Sequence, residues 1–131
     1  MKTPIYDFIN KYAKKDTARL HMPGHKGVSF LGCEKMDITE IRGADELYDA
    51  EGIIAESEGN AEGLFGFGKT VYGTEGSSQS IRAMLFLALQ GAEKTGERPV
   101  ILVARNAHKA FLYSCALMDL DAEWLDRKSV V

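Results

Sequence analysis

The sequence predicts an α/β protein: part of a doubly wound, mostly parallel sheet in its second half, behind an N-terminal helix and an extended arm. Three observations carry that prediction. The run "PVILVA", Pro99 to Ala104, is apolar without interruption, as expected of a strand covered on both faces in a parallel sheet. Helical patterns flank it, with Ile81, Met84, Leu85, Ala88 and Leu89 on one face before it and "RNAHKAFLYSCALM" after it. Short apolar runs, "KTVY" and "AEWL", stand at the two ends of the series. Strand, helix, strand, helix, strand is the order that right-handed crossovers fold into parallel layers.

From the N-terminus, Thr3 is placed to cap a first helix with Pro4 at its first position, and Ile5, Phe8, Ile9 and Tyr12 recur at helical spacing. This helix reads as a docking arm. Asp16 to Leu47 then runs through glycine, proline and charge with only short apolar pieces such as "MDITEI", predicting loop with at most one brief strand. Extended segments of that length inside compact proteins tend to be functional or ordered by a partner. Gly52 to Phe65 predicts a helix weakened by Gly59 and Gly63. Lys69 to Tyr72 then predicts the first strand. The turn-rich "GTEGSSQS" follows, and a helix from about Ser78 to Gln90 that Gly91 ends. Residues 1–50 are thus expected to form helix and arm, and 51–131 the start of the sheet domain.

Composition narrows the classes of function. A chain of 131 residues with 45% hydrophobic and 27% charged content is neither disordered nor fibrous. Its formal charge of −3 and scattered Lys and Arg give no footprint for nucleic acid. No apolar run is of membrane-spanning length, and "MKTPIYDFINKYAKK" lacks the pattern of a signal peptide, so a cytoplasmic protein is expected. Cys33 and Cys115 stand apart with no CxxC, predicting two reduced thiols rather than a disulfide or a metal site.

Four stretches carry possible chemistry. In "RLHMPGHKG", His21 and His25 have the spacing of a helical zinc pair, but Pro23 and Gly24 disfavour helix and no third ligand cluster is near. No metal is expected there. His21, Pro23, Gly24, His25 and Lys26 form instead a rigid loop of donors and cations, suited to a carboxylate or phosphate, or simply a solvated basic turn. "GLFGFGKT", Gly63 to Thr70, matches the nucleotide-binding P-loop pattern through Gly63, Gly68, Lys69 and Thr70. A working P-loop joins a strand to a following helix, whereas here a helical pattern precedes and a strand pattern follows. The glycines then read as ending a helix. "YGTEGSSQSIRAML" has the productive order: Gly73 and Gly76 turn the chain, and Ser77 and Ser78 stand at the mouth of a helix whose first N–H groups lack partners. Phosphate suits that mouth, and so does ordinary capping by a serine. His108, after "PVILVA", falls outside the carboxyl end of a strand, where open parallel sheets bind ligands, and is expected on the same crevice as Gly76 to Ser78.

Together "RLHMPGHKG", "DITEIRGADEL", "GTEGSSQSI" and "RNAHKA", in this order and spacing, resemble the beginning of the Orn/Lys/Arg decarboxylase family over Pro4 to about Leu125. That family consists of pyridoxal-phosphate enzymes of the aspartate aminotransferase (fold type I) class. The resemblance implies that Gly76, Ser77 and Ser78 hold the cofactor phosphate, with Ser77 in place of the usual Thr, and that His108 stacks on the pyridine ring. Arg105, Asn106 and Lys109 match the flanking motif, and Ala110 stands where Ser is common. It further implies that Arg19 to Lys26 lies near the active site and that "DITEIRGADEL" shapes it across a homodimer interface, with Tyr48 replacing a common His and Ala50 a common Pro. The activity implied is removal of the α-carboxylate of lysine, ornithine or arginine to give a polyamine-type amine. Asp45 or Glu46 could meet the substrate's distal cation, and both equally suit a solvated acidic loop. The family's Schiff-base lysine belongs to a later Ser-x-His-Lys motif. The 131-residue chain is therefore expected to be an inactive N-terminal fragment with exposed strand edges that favour dimerisation or poor stability. A P-loop nucleotide-binding protein and a non-enzymatic α/β interaction module are the alternatives.

Overall fold

The computed structural model describes residues 2–94, 96 and 98–125. The elements are α1 (Pro4–Ala13), α2 (Ile53–Phe65), α3 (Gly76–Glu93), β1 (Val100–Ala104), α4 (Lys109–Leu117) and β2 (Asp121–Leu125). They fall into two compact units, Met1–Tyr72 and Gly73–Val131.

In the first unit, α1 packs on α2. Pro4 opens α1 as expected, but the hydroxyl of Thr3 does not cap it. The Asp7 carboxylate reaches back and accepts the Thr3 N–H at 3.2 Å. The long segment before α2 forms turns, among them Ala44 N–H to the Ile41 carbonyl at 2.8 Å, and "MDITEI" makes no strand. α2 runs through Gly59 and Gly63 and stops at Gly66, whose φ of 70° is the left-handed conformation that glycine adopts without strain.

The expected strand Lys69 to Tyr72 is not formed. Its alternate N–H groups go to side chains of α2: Thr70 donates to Glu62 Oε1 at 2.8 Å and Tyr72 to Glu58 Oε1 at 2.7 Å. Glu58 and Glu62 are one helical turn apart, so the extended segment can follow the helix with carboxylates as its acceptors. The Tyr72 hydroxyl also donates to the Ser57 carbonyl at 3.0 Å.

The second unit is a β-α-β arrangement with α3 in front. β1 and β2 pair in parallel from Val100↔Asp121 to Ala104↔Leu125, a two-stranded sheet among the described residues in place of the three strands expected. Leu85 of α3, Cys115 of α4 and Leu120 form the buried core, with Ile81, Leu89, Ile101, Phe111 and Met118 packed on it. Ile101 and Val103 alternate with Val100 and Leu102, which stay exposed on the opposite face of the sheet. α3 continues past Gly91 to Glu93, because Gly91 keeps an ordinary helical backbone and does not adopt the left-handed turn that makes glycine a stop. Arg98 ties the start of β1 to that of β2 through the Asp119 carbonyl at 3.1 Å and the Asp121 carboxylate at 3.1 Å.

Candidate functional site: a cation-lined cavity at two helix starts

Within the second unit, a cavity of about 350 Å³ lies between the first two turns of α3 and the length of α4, lined by Ser78, Arg82, His108, Lys109, Tyr113 and Leu117 among others. Ser78 and Arg82 are four apart on α3; Ala110, Tyr113, Ser114 and Leu117 follow the i, i+3, i+4, i+7 stripe of α4. Helical period therefore builds both walls. Ser78 and His108, some thirty positions apart in sequence, meet at one cavity.

Gly76 and Ser77 are the first two residues of α3 and are exposed; of the expected Gly76–Ser78 turn, only Ser78 lines the cavity with His108. Gly76 has φ 69°, and a Cβ there would meet no atom within 4 Å, so the backbone is open to an approaching ligand. No side chain caps the N-terminus of α3; Gln79 accepts the N–H of Glu75, one residue before the helix. The first-turn N–H groups thus point outward with the positive end of the helix dipole, which favours an anion.

His108 has a double position. It is the N-cap of α4, its Nδ1 accepting the Ala110 N–H at 3.2 Å, and its ring also lines the cavity. Acceptance at Nδ1 places the proton of the neutral ring on Nε2, which is left to donate. Arg105, at the end of β1, lies over the Trp124 ring at 5.7 Å. Cys115 is buried beneath this region, and burial raises its thiol pKa.

The basic loop belongs to the first unit, and its donors turn inward. Arg19 donates to the Lys35 carbonyl at 2.7 Å and lies 4.8 Å from the centre of the Tyr12 ring. Lys26 donates to the His21 carbonyl at 2.6 Å. His21 Nδ1 meets the Met22 carbonyl and Nε2 takes the Tyr12 hydroxyl at 2.6 Å, so its proton sits on Nδ1. His25 is the opposite tautomer: Nδ1 accepts from Gly27 N–H at 2.9 Å and Nε2 donates to Asp37 at 3.1 Å. Pro23 and Gly24 form the turn between them, and Gly27, at φ 79°, is strained by any side chain, whose Cβ would also approach the Arg19 guanidinium to 3.0 Å.

Two carboxylates missed as structural elements fix the loops around it. Glu34 accepts N–H groups from Phe30, Leu31 and Gly32, and these bonds, Leu31 first, hold its pKa down to about 2. Asp45 accepts from Glu46, Glu51, Gly52 and Ile54; desolvation works against the charged form, but the four backbone bonds outweigh it and bring the pKa to about 2. Asp45 thereby holds the start of α2 and is not a solvated loop acid. Glu46 remains exposed. In the P-loop-like stretch, Gly63 is inside α2, Lys69 is exposed, and the Thr70 N–H faces a carboxylate where a phosphate would have to bind.

The fold and the cavity define an α/β protein with a donor-rich, anion-compatible recess at the starts of two helices. The particular family follows from comparison. Residues 3–127 match the Orn/Lys/Arg decarboxylase major domain, and the chain belongs to that family. An arginine decarboxylase of Halalkalibacterium halodurans is 31% identical over 85% of this chain and 23% of its own length. An arginine decarboxylase of Bacillus subtilis is 26% identical over 85% of this chain and 24% of its own. A further Bacillus subtilis protein, described as uncharacterized, is 27% identical over 95% of this chain and 27% of its own. The chain thus spans about a quarter of the length of the curated relatives it matches. No solved structure matches it. Among the described residues, no helix is long and apolar enough to cross a membrane.

Proposed function

We propose that this chain forms the start of the cofactor-binding domain of a pyridoxal-phosphate-dependent decarboxylase acting on a basic amino acid, arginine first among them. The observation that carries the reading is the meeting of Ser78 and His108 at one cavity, in a chain of the decarboxylase family. The printed names of the arginine decarboxylase relatives support the choice of substrate. On this reading residues 51–131 begin a doubly wound fold type I domain, 1–50 are its helix and arm, and the assembled enzyme is a homodimer.

The residues present suit the cofactor. The open backbone at Gly76, the hydroxyls of Ser77 and Ser78 and the outward N–H groups of α3 offer donors to a phosphate. The imidazole of His108, tethered through Nδ1, offers a flat face whose orientation the first turn of α4 sets. When bound, pyridoxal phosphate supplies the electron sink that accepts the pair left on Cα as the carboxylate departs as carbon dioxide. The chain's contribution is to anchor one end of the ring and restrict its tilt. A P-loop reading finds no support in the helix–turn–extended order of residues 53–72.

Calorimetric titration with pyridoxal phosphate tests the reading. Ser77→Ala combined with Ser78→Ala should weaken binding about tenfold, the equivalent of one or two hydrogen bonds to a charged group. Unchanged affinity in that double variant and in His108→Ala would overturn the assignment, and ATP binding lost on Lys69→Ala would restore the nucleotide alternative. Carbon dioxide release from arginine, lysine and ornithine by the complete protein decides the substrate.

A further inference from the structure

We infer that Arg82, with Lys109 opposite it, supplies the positive charge that selects a phosphorylated ligand in the cavity between α3 and α4. The identity of the ligand rests on the cofactor reading above; the charge argument stands on the cavity itself.

Among the described residues, the lining carries two full cations, Arg82 and Lys109, with the Ser78 and Tyr113 hydroxyls and His108 Nε2 as further donors, while the Ser114 hydroxyl is spent on the Ala110 carbonyl at 2.7 Å. It contains no carboxylate among the described residues. Among the described residues, no hydrogen bond or ion pair engages the Arg82 guanidinium or the Lys109 ammonium. Arg82 and Lys109 are exposed, as are other described cations of the chain that make no bond, such as Arg42 and Lys69; what sets them apart is that both line one cavity. Arg19 and Lys26 are bonded to backbone carbonyls, and Arg98 is paired with Asp119 and Asp121. The side chains of Leu117, Ala110 and Tyr113 give the same recess an apolar wall. Two unneutralised cations beside an apolar wall fit an anion carried on a flat or apolar body, and an Arg can take two phosphate oxygens at once through its planar fork. Arg82 also stands one helical turn after Ser78 on the same face, so a phosphate at the mouth of α3 is within reach of a long side chain from the next turn.

The probes are pyridoxine 5′-phosphate and pyridoxine, which share a ring, differ by the phosphate and carry no aldehyde to react with lysines. Binding of each to the wild-type chain, Arg82→Gln, Arg82→Lys, Lys109→Gln and Arg98→Gln is measured by calorimetry, with circular dichroism confirming that every variant is folded. Arg82→Gln should weaken the phosphorylated probe about tenfold, and Lys109→Gln about threefold, with little change for pyridoxine. Arg82→Lys should recover part of the loss. Arg98→Gln removes the same charge from an exposed pair outside the cavity and should leave binding as it is.

Equal losses in Arg82→Gln and Arg98→Gln would mean that only overall charge matters, and the inference falls. Wild-type affinity in Arg82→Gln, with binding still dependent on Ser77 and Ser78, would also overturn it while leaving the cofactor reading intact. Inorganic phosphate bound as tightly as the pyridoxine ester, and weakened by Arg82→Gln, would support the charge assignment and remove the cofactor reading instead. Absence of binding by any probe would overturn both.

Discussion

In the unit Met1–Tyr72, carboxylates take backbone N–H groups that strands take from one another in the unit Gly73–Val131. Glu34 gathers the turn at Phe30 to Gly32, Asp45 holds the chain entering α2, and Glu58 and Glu62 receive the extended segment after it. The second unit relies on the β1–β2 ladder and on apolar burial around Leu85, Cys115 and Leu120. The two strategies satisfy the same requirement, that buried backbone donors find acceptors, but they fail under different conditions. Ionised acceptors are lost to acid, and apolar contacts are lost to cavities.

The largest effect expected from this contrast is that of Leu85→Ala. The side chain is 3% exposed at the centre of the core, so its truncation should cost the second unit about 3 kcal/mol. Urea unfolding followed by Trp124, the chain's single tryptophan, reads it directly. A loss below about 1 kcal/mol would show that this core is not what holds the unit.

Acid should do to the first unit what the cavity does to the second. The folded pKa values of Glu34 and Asp45 are both depressed to about 2 from 4.5 and 3.8, so their stabilisation is present above those unfolded values. It is lost as pH falls from about 4.5 toward 2. Protection factors at Gly32 and Gly52, with the intrinsic pH dependence of exchange divided out, should fall over that interval, whereas those of β1 should not follow the same profile. Glu34→Gln with Asp45→Asn should flatten the dependence and make the loops open faster at neutral pH. Parallel acid profiles in the two units would break the comparison.

A smaller change is expected from Glu58→Ala, which leaves the Tyr72 N–H without its acceptor. The extended segment should loosen by about 1 kcal/mol, read as faster exchange at Tyr72 with α2 retained. Smaller still is the response of the thiols in the native protein. Cys33 is exposed and should react with a thiol reagent, while Cys115, buried and with a raised pKa, should stay protected unless Leu85→Ala opens the core. Equal labelling of the two cysteines in the wild-type chain would show that the core admits solvent freely.

The same contrast explains how much could be read in advance. α1, α2, α3, β1, α4 and β2 each announce themselves by apolar period, because burial of one face or of both is written into residue order. The segment Lys69 to Tyr72 has the composition of a strand, and the failure of that expectation is physical: its partners are Glu58 and Glu62, polar residues with no place in an apolar pattern. Their i, i+4 spacing was the signal available. Asp45 was legible as an acid but not as the acceptor of four N–H groups, since its partners extend nine positions along the chain. Arg82 could have been found from its place one turn after Ser78, although nothing in the sequence pairs it with Lys109.

Sequence by itself determined the helices, the parallel pair of strands and the membership of a decarboxylase family, because periodicity and ordered motifs are properties of neighbours along the chain. Tertiary structure alone decided that Ser78, Arg82, His108 and Lys109 share one cavity and that Arg19, Lys26 and Asp45 spend their polar groups on the backbone. A side chain's charge is fixed by its identity, whereas the partner that consumes or spares that charge is set by folding distant segments together.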